Sequence, residues 1–168
     1  FDGLNLGKLL KNIIKETRIE RLGLSSLDVA CIDKDLEEII KNEERILPHL
    51  HLSLQSGDNE ILKKMARRHT REIAIDFCNR IKKARKDVLF GADLIAGFPT
   101  ETDEAHNNSL KIINECNIVF GHIFPYSERP GTIAADMQQV DKHIRKLRAK
   151  ELREAEEKIQ REPSKLSK

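Results

Sequence analysis

The sequence is poor in the residues that mark several protein classes. Among its 168 residues there are three cysteines, one tyrosine and no tryptophan, and 30 Lys and Arg residues are balanced by 28 Asp and Glu residues, for a net charge of +2. This balance excludes the overall basic field of a general nucleic-acid-binding protein. No stretch approaches the roughly 18 apolar residues of a membrane span, and no signal-peptide pattern opens the chain. We therefore expect a cytoplasmic protein that has no membrane partner.

The three cysteines, Cys31, Cys78 and Cys116, lie far apart in the sequence. An odd number of widely spaced thiols indicates buried residues in a reducing compartment rather than a disulfide framework, and we expect no metal site from them. The chain begins at Phe1, in a segment with the pattern of a loop that enters a helix. This start indicates a fragment of a longer protein.

Helical and strand patterns alternate along the chain. Strands are predicted at Arg21–Leu27, from Pro48, at Val88–Phe98 and at Ile118–Tyr126. Helices between them are predicted to start at the capping residues Asp33, Asp58, Thr70 and Thr100. This order favours parallel strands joined by right-handed crossovers, and hence an α/β domain. A long charged helix from Asp141 to about Glu162 is expected to lie outside the tight core, and its basic stretch suits phosphate contacts or a solvated surface.

The segment PHLHLSLQSGD alternates polar and apolar side chains. Its three leucines share one face of the predicted strand. The opposite face carries four polar residues: His49, His51, Ser53 and Gln55. In an antiparallel sheet this polar face would lie in water. In a partial (β/α) barrel the leucines would contact outer helices, and the polar face would line an interior that holds a ligand. We expect the barrel arrangement over residues 1–140, followed by a charged helix and tail over residues 141–168.

Polar residues at other strands indicate candidate sites. Asp93 shares a strand face with Gly91 and Gly97, so a ligand could approach the backbone there; alternatively, the aspartate pairs with a nearby Lys or Arg. His49 and His51 could supply two zinc ligands, but no third ligand follows at recognisable spacing.

Two basic groups are further candidates. Arg67, Arg68 and His69 form a cluster that could pair with a carboxylate or phosphate, or could be an exposed charge run. Tyr126 and Arg129, in a loop rich in proline, are a pair of the kind that stacks on nucleic-acid bases. From pattern alone, the function stays open.

Three ordered segments carry a resemblance to a known family. LPHLHLSLQSGDNEILKKMARRHT, GADLIAGFPTETDE and FPYSERPGTIAADMQQV together resemble the radical S-adenosylmethionine tRNA methylthiotransferases. The first of them, with RLGLSSLD, most resembles the branch that acts on threonylcarbamoyladenosine. The resemblance implies a central six-stranded partial barrel, of which this chain would contain about the last four parallel strands.

The resemblance also implies a cofactor and a substrate. Complete members use S-adenosylmethionine and a 4Fe-4S cluster to methylthiolate a modified adenosine beside the anticodon of a transfer RNA. Their cluster-binding CxxxCxxC motif has no counterpart in this sequence, so the chain alone is expected to be inactive and to need a complementing N-terminal fragment.

Site residues follow from the matched motifs. By resemblance, the cofactor-binding residues would be Ser53, Gln55, Arg67, Asp93 and Gly97, and the substrate-binding residues would be Tyr126 and Arg129. No catalytic residue and no metal ligand is assigned. The alternative interpretation is a non-catalytic α/β binding or assembly module whose polar strand face is hydrogen-bonded internally.

Overall fold

The structure is a computed structural model that describes residues 5–161. Strands are β1 (Leu22–Leu27), β2 (Ile46–Gln55), β3 (Leu89–Ala96) and β4 (Ile118–Pro125). Helices are α1 (Leu6–Glu16), α2 (Lys34–Asn42), α3 (Asn59–Lys64), α4 (Arg71–Ala84), α5 (Asp103–Glu115), α6 (Ile133–Asp136) and α7 (Lys142–Arg161). A short 3₁₀ turn, Val29–Cys31, follows β1.

The four strands form one parallel sheet in the order β1-β2-β3-β4. The register pairs His51 with Gly91 and Asp93 with His122, so His51 lies two residues from the level at which Asp93 and His122 face each other on the neighbouring strands. The predicted α/β class is confirmed, and the sheet with its crossover helices has the arrangement of a partial (β/α) barrel.

The core lies between the sheet and the helices. Leu50, Leu52 and Leu54 of β2 are fully buried, in one cluster with Phe77 of α4 and Ile112 of α5. The alternation of β2 therefore directs its leucines to the helices, as the sequence predicts. The polar residues of β2 face the opposite side of the sheet.

Most predicted helix starts are confirmed, but one is wrong. Asp33, Asp58 and Thr70 cap α2, α3 and α4 through their side chains. Helix α5 is capped by Thr102, whose hydroxyl accepts from the Ala105 amide, and not by Thr100. Thr100 has a left-handed φ of 67°, which an N-cap residue does not adopt, and its hydroxyl accepts instead from Lys64 Nζ at 2.6 Å.

The expectation that the C-terminal helix lies outside the core is wrong. Helix α7 packs along β3, β4 and α5, and its Ala149 and Leu152 belong to the main core cluster. Two of its arginines, Arg145 and Arg148, are also buried. The sequence pattern of α7, with few apolar positions, does not indicate this burial. Its arginines count as surface residues in such a pattern, whereas in the fold they are buried and paired with internal acceptors.

The cysteines are free thiols in two environments. Cys78 and Cys116 are buried, and the hydrogen bond of the Cys78 thiol to the Cys116 side chain, together with burial, raises the pKa of Cys78. Cys31 is exposed, contrary to the expectation of three buried thiols, because it ends the 3₁₀ turn rather than facing the core. Within residues 5–161, no helix is both long and apolar enough to cross a membrane.

Candidate functional site

A cavity of about 610 Å³ opens at the carboxyl ends of β2, β3 and β4; it is called here the carboxyl-end cavity. Four residues predicted to bind cofactor or substrate line it: Gln55, Asp93, Tyr126 and Arg129. Ile95 and Phe124 supply apolar wall. The structure thus brings together side chains from three segments that are far apart in the sequence, at the sheet edge where parallel α/β folds bind ligands.

Ser53 and Arg67 lie behind this cavity rather than in its wall. Gln55 Nε2 donates to Ser53 Oγ at 2.9 Å, and an Arg67 terminal nitrogen donates to the Ser53 carbonyl at 2.9 Å. Arg67 also lies 3.4 Å from Asp28 Oδ2, while its buried Nε has no hydrogen-bond partner among the described residues. Ser53 and Arg67 therefore fix the end of β2 and the side chain of Gln55.

Gly97 occupies the turn after β3 and packs against α7. Its φ is +69°, and a Cβ at this position would lie 2.5 Å from Arg145 Cγ. Its amide donates to Glu101 Oε1 at 2.9 Å. The geometry requires glycine here for the turn and for close contact with α7.

Strained backbone marks the same edge of the sheet. Gln55, the last residue of β2, has a φ of +68°. Non-glycine residues in this region cost of the order of 1 kcal/mol or more, and such residues concentrate at functional sites. The position of Gln55 in the cavity wall agrees with that tendency.

The loop after β4 is tethered by α7. Arg145 lies with its guanidinium carbon 5.3 Å from the centre of the Tyr126 ring, and it donates to Glu128 Oε1 at 2.8 Å. Tyr126 also meets Phe98 edge to face, with ring centres 5.4 Å apart. These contacts fix Tyr126, while Arg129 is exposed at the cavity mouth.

A buried ion pair supports the turn after β3. Arg148 donates to both the carbonyl and Oε1 of Glu101 at 3.0 Å, and to the exposed Asp103 at 2.6 Å. Burial raises the pKa of Glu101, although the Gly97 amide and Arg148 act in the opposite direction. The buried arginines of α7 therefore serve the fold, and neither is available to phosphate.

The basic cluster after α3 converges on one aspartate. Asp28 lies 3.4 Å from Arg67, 3.8 Å from Arg68 and 3.7 Å from Nδ1 of His69. His69 is buried and donates through Nε2 to the Leu54 carbonyl at 3.2 Å. Burial lowers the pKa of His69. Arg67 and His69 thus belong to an internal network around Asp28, whereas Arg68 is exposed at its edge.

Sequence reasoning missed a second polar group, on the same face of the sheet. Asp93 Oδ1 lies 2.9 Å from His51 Nε2 and 3.2 Å from His122 Nδ1, and the two imidazole centres are 4.6 Å apart. The pairing weighed from the sequence, His49 with His51, does not converge in this way, because His49 packs edge to face on Phe120. The sequence feature that could have identified His122 is its position in the alternating segment FGHIF of β4.

This group lies in the wall of a further cavity, of about 630 Å³, near the amino ends of the strands; it is called here the amino-end cavity. Leu24, Leu89 and Phe120 give it an apolar wall, and His51, Asp93 and His122 supply polar groups. Gly91 makes room for the group, since a Cβ there would lie 2.7 Å from His51 Nδ1. Asp93 borders both cavities.

Comparisons with known proteins agree with this architecture. Residues 1–113 match the sequence model of the radical SAM superfamily. The threonylcarbamoyladenosine tRNA methylthiotransferase MtaB of Rickettsia prowazekii is 51% identical over 148 residues, which cover 88% of this chain and 35% of that protein. The enzyme of the same name from Aquifex aeolicus is 41% identical over 161 residues, or 95% of this chain and 39% of that protein.

A relative with a different name is also similar. The tRNA-2-methylthio-N(6)-dimethylallyladenosine synthase of Ehrlichia chaffeensis is 38% identical over 151 residues, which cover 89% of this chain and 34% of that protein. The chain thus spans little more than a third of the length of the curated relatives that it matches. The parallel sheet, the cavity at its carboxyl edge and the match over residues 1–113 lead to one conclusion: this chain belongs to the radical SAM superfamily.

Proposed function

We propose that this chain forms the cofactor and substrate wall of a tRNA methylthiotransferase that modifies threonylcarbamoyladenosine beside the anticodon. Two relatives that carry that name, at 51% and 41% identity, support this choice over the dimethylallyladenosine branch, represented at 38%. A cytoplasmic location accords with such a substrate. The observation that carries the proposal is the carboxyl-end cavity, in which Gln55, Asp93, Tyr126 and Arg129 meet.

Each residue has a proposed role. Gln55 and Asp93 offer an amide and a carboxylate to the polar groups of S-adenosylmethionine, and Ser53 orients the Gln55 amide through their 2.9 Å hydrogen bond. Arg67 is not part of the cavity wall, and it holds the end of β2 through the Ser53 carbonyl; its buried Nε, which lacks a partner among the described residues, is the group that we assign to the cofactor carboxylate. Gly97 lets the β3 turn lie close to α7, next to the cofactor's ribose and adenine side.

Tyr126 and Arg129 are proposed to receive the target adenosine. Tyr126 is held by Phe98 and Arg145, so its ring is pre-oriented for stacking. Arg129 is free to reach a phosphate or a base at the cavity mouth, since its side chain is exposed. The wall also excludes water from the reacting groups through Ile95 and Phe124.

The residues fit S-adenosylmethionine but do not fit a 4Fe-4S cluster. When bound in a complete enzyme, S-adenosylmethionine supplies the radical and the methyl group. A cluster needs converging thiolates, whereas Cys78 and Cys116 are buried in the core and Cys31 is exposed beside Arg68. We therefore propose that the cluster ligands come from a complementing N-terminal segment and that this chain is inactive without it.

Calorimetric titration of the chain with S-adenosylmethionine tests the proposal. We expect saturable binding, weakened about 10-fold or more by Asp93→Ala and about 3- to 10-fold by Gln55→Ala, as for one charged and one neutral hydrogen bond. Asp136→Ala and Gln138→Ala are matched controls, because both residues are exposed and neither lines the cavity. The controls should bind like the wild type.

Two outcomes would contradict the proposal. One is no binding of S-adenosylmethionine by a folded chain, which would favour a non-catalytic binding or assembly module. The other is binding that all four variants retain, which would place the cofactor elsewhere. A folded state is verified by circular dichroism before each titration.

A further inference from the structure

We propose that His51, Asp93 and His122 form a binding site for a divalent transition-metal ion of the Zn²⁺ or Fe²⁺ class, facing the amino-end cavity. The three residues each offer one ligand atom, and these atoms lie within 4.8 Å of one another. The site shares Asp93 with the proposed S-adenosylmethionine site, but it faces a different cavity and needs no cysteine-bound cluster.

The spacing of the ligand atoms carries the inference. Imidazole nitrogens and carboxylate oxygens bind Zn²⁺ at about 2.0 to 2.2 Å, so two ligands at angles of about 90° to 110° lie roughly 3.0 to 3.4 Å apart. Asp93 Oδ1 lies 2.9 Å from His51 Nε2 and 3.2 Å from His122 Nδ1. Two of the three separations therefore already match an occupied site, and the third, between the two imidazole nitrogens, lies within 4.8 Å and must shorten when an ion binds.

The ligand types and their supports suit such an ion. Two imidazoles and one carboxylate are the donor set of both catalytic zinc sites and non-haem iron sites, which keep coordination positions open. Here the open positions face the amino-end cavity, whose wall includes Leu24, Leu89 and Phe120.

The ligands come from rigid elements. His51, Asp93 and His122 lie on three adjacent strands, and the register pairs Asp93 directly with His122. The His51 side chain is largely buried, and Gly91 leaves the space that its ring occupies. A preformed site of this kind binds its ion without ordering a loop.

The test uses the 168-residue chain and metal ions alone. After treatment with a chelator and its removal, the chain is titrated with ZnCl₂ by calorimetry and with CoCl₂ by visible absorption. We expect one equivalent to bind, with Co²⁺ bands of a four- or five-coordinate nitrogen and oxygen site. His122→Ala should weaken binding at least 10-fold, since it removes one of three ligands.

The variants separate the site from surface imidazoles. His122 is suited to substitution because its side chain is 68% exposed, so the fold should tolerate alanine. His143→Ala is the matched control, an exposed histidine on α7 that should leave the Zn²⁺ affinity unchanged. Asp93→Asn, which keeps an oxygen acceptor but loses the charge, should also weaken binding at least 10-fold.

The proposal is overturned if the wild-type chain takes up no Zn²⁺ or Co²⁺ at 100 micromolar, a concentration of about the order at which weak surface sites fill. It is also overturned if His122→Ala binds as tightly as the wild type, or if His143→Ala loses as much affinity as His122→Ala. Since His122 has no part in the proposed S-adenosylmethionine site, failure of this test leaves that proposal standing, and the reverse is also true.

Discussion

Substituting Gly91 by alanine should destabilise the protein by displacing His51. The added Cβ would lie 2.7 Å from His51 Nδ1 and 3.1 Å from the Phe120 carbonyl oxygen, inside ordinary van der Waals contact. The carbonyl belongs to the neighbouring strand and cannot move alone, so the imidazole must turn away. That movement breaks the 2.9 Å hydrogen bond to Asp93.

The expected size follows from two opposing effects. Overpacking of this kind costs about 1 to 3 kcal/mol. Replacing glycine by alanine within a strand regains about 0.5 to 1 kcal/mol of backbone entropy. The difference spans about 0 to 2.5 kcal/mol with a middle value of about 1.2 kcal/mol, so with a urea slope of about 2 kcal/mol/M the midpoint should fall by about 0.6 M.

Gly23 provides the matched control for urea denaturation followed by circular dichroism. It also lies in a strand, but the nearest atom to an added Cβ is Leu47 Cδ1 at 3.6 Å, which is ordinary contact. Gly23→Ala should leave the urea midpoint unchanged or raise it. If Gly91→Ala is as stable as Gly23→Ala, the steric role assigned to Gly91 is wrong.

Two further predictions concern buried charge. Arg148→Met should lower the free energy of unfolding by about 3 to 5 kcal/mol because it leaves the Glu101 carboxylate buried without its cation. In urea titrations, adding Glu101→Gln to this variant should restore more than half of the lost stability. A double variant that is no more stable than Arg148→Met would contradict this reasoning. Burial lowers the pKa of His69 from 6.5, so the stability present above pH 6.5 is lost as the pH falls through the lowered value. In His69→Gln the amide can still donate to the Leu54 carbonyl, so thermal melts down to about pH 5 should show a smaller loss of stability than in the wild type. The exposed control, His143→Gln, should lose stability with falling pH as the wild type does. An equal pH dependence of stability in the two variants would refute the role assigned to His69.

The fold was predictable because its signals are local. The alternation in β2 identifies both the strand and the face that its leucines bury, and Asp33, Asp58 and Thr70 precede helices at capping positions. The prediction of the α5 cap was wrong because the segment PTETDE contains two threonines at suitable spacing. Only the backbone conformation at Thr100 decides between them.

The sites were only half predictable because their contacts are not local. Gln55, Asp93 and Tyr126 could be selected from motifs, yet motifs do not reveal that Asp93 also meets His122, which is 29 residues away in the sequence. The burial of α7 was hidden for the same reason. In the sequence, the arginines of α7 are typical of a solvated helix face. Only the fold shows that Glu101 and Glu128 lie beside them.

Strand β1 meets β2 less regularly than the other strands meet each other. Leu22 pairs with Ile46, Leu24 with Leu50 and Leu27 with Leu52, with the register shifting between each pair. Each shift leaves backbone groups that a regular ladder would bond, so β1 can separate from β2 at a lower cost than β3 or β4 can separate from the sheet. Because Leu24 and Ser26 border the amino-end cavity, any movement of β1 away from β2 would widen that cavity beside His51.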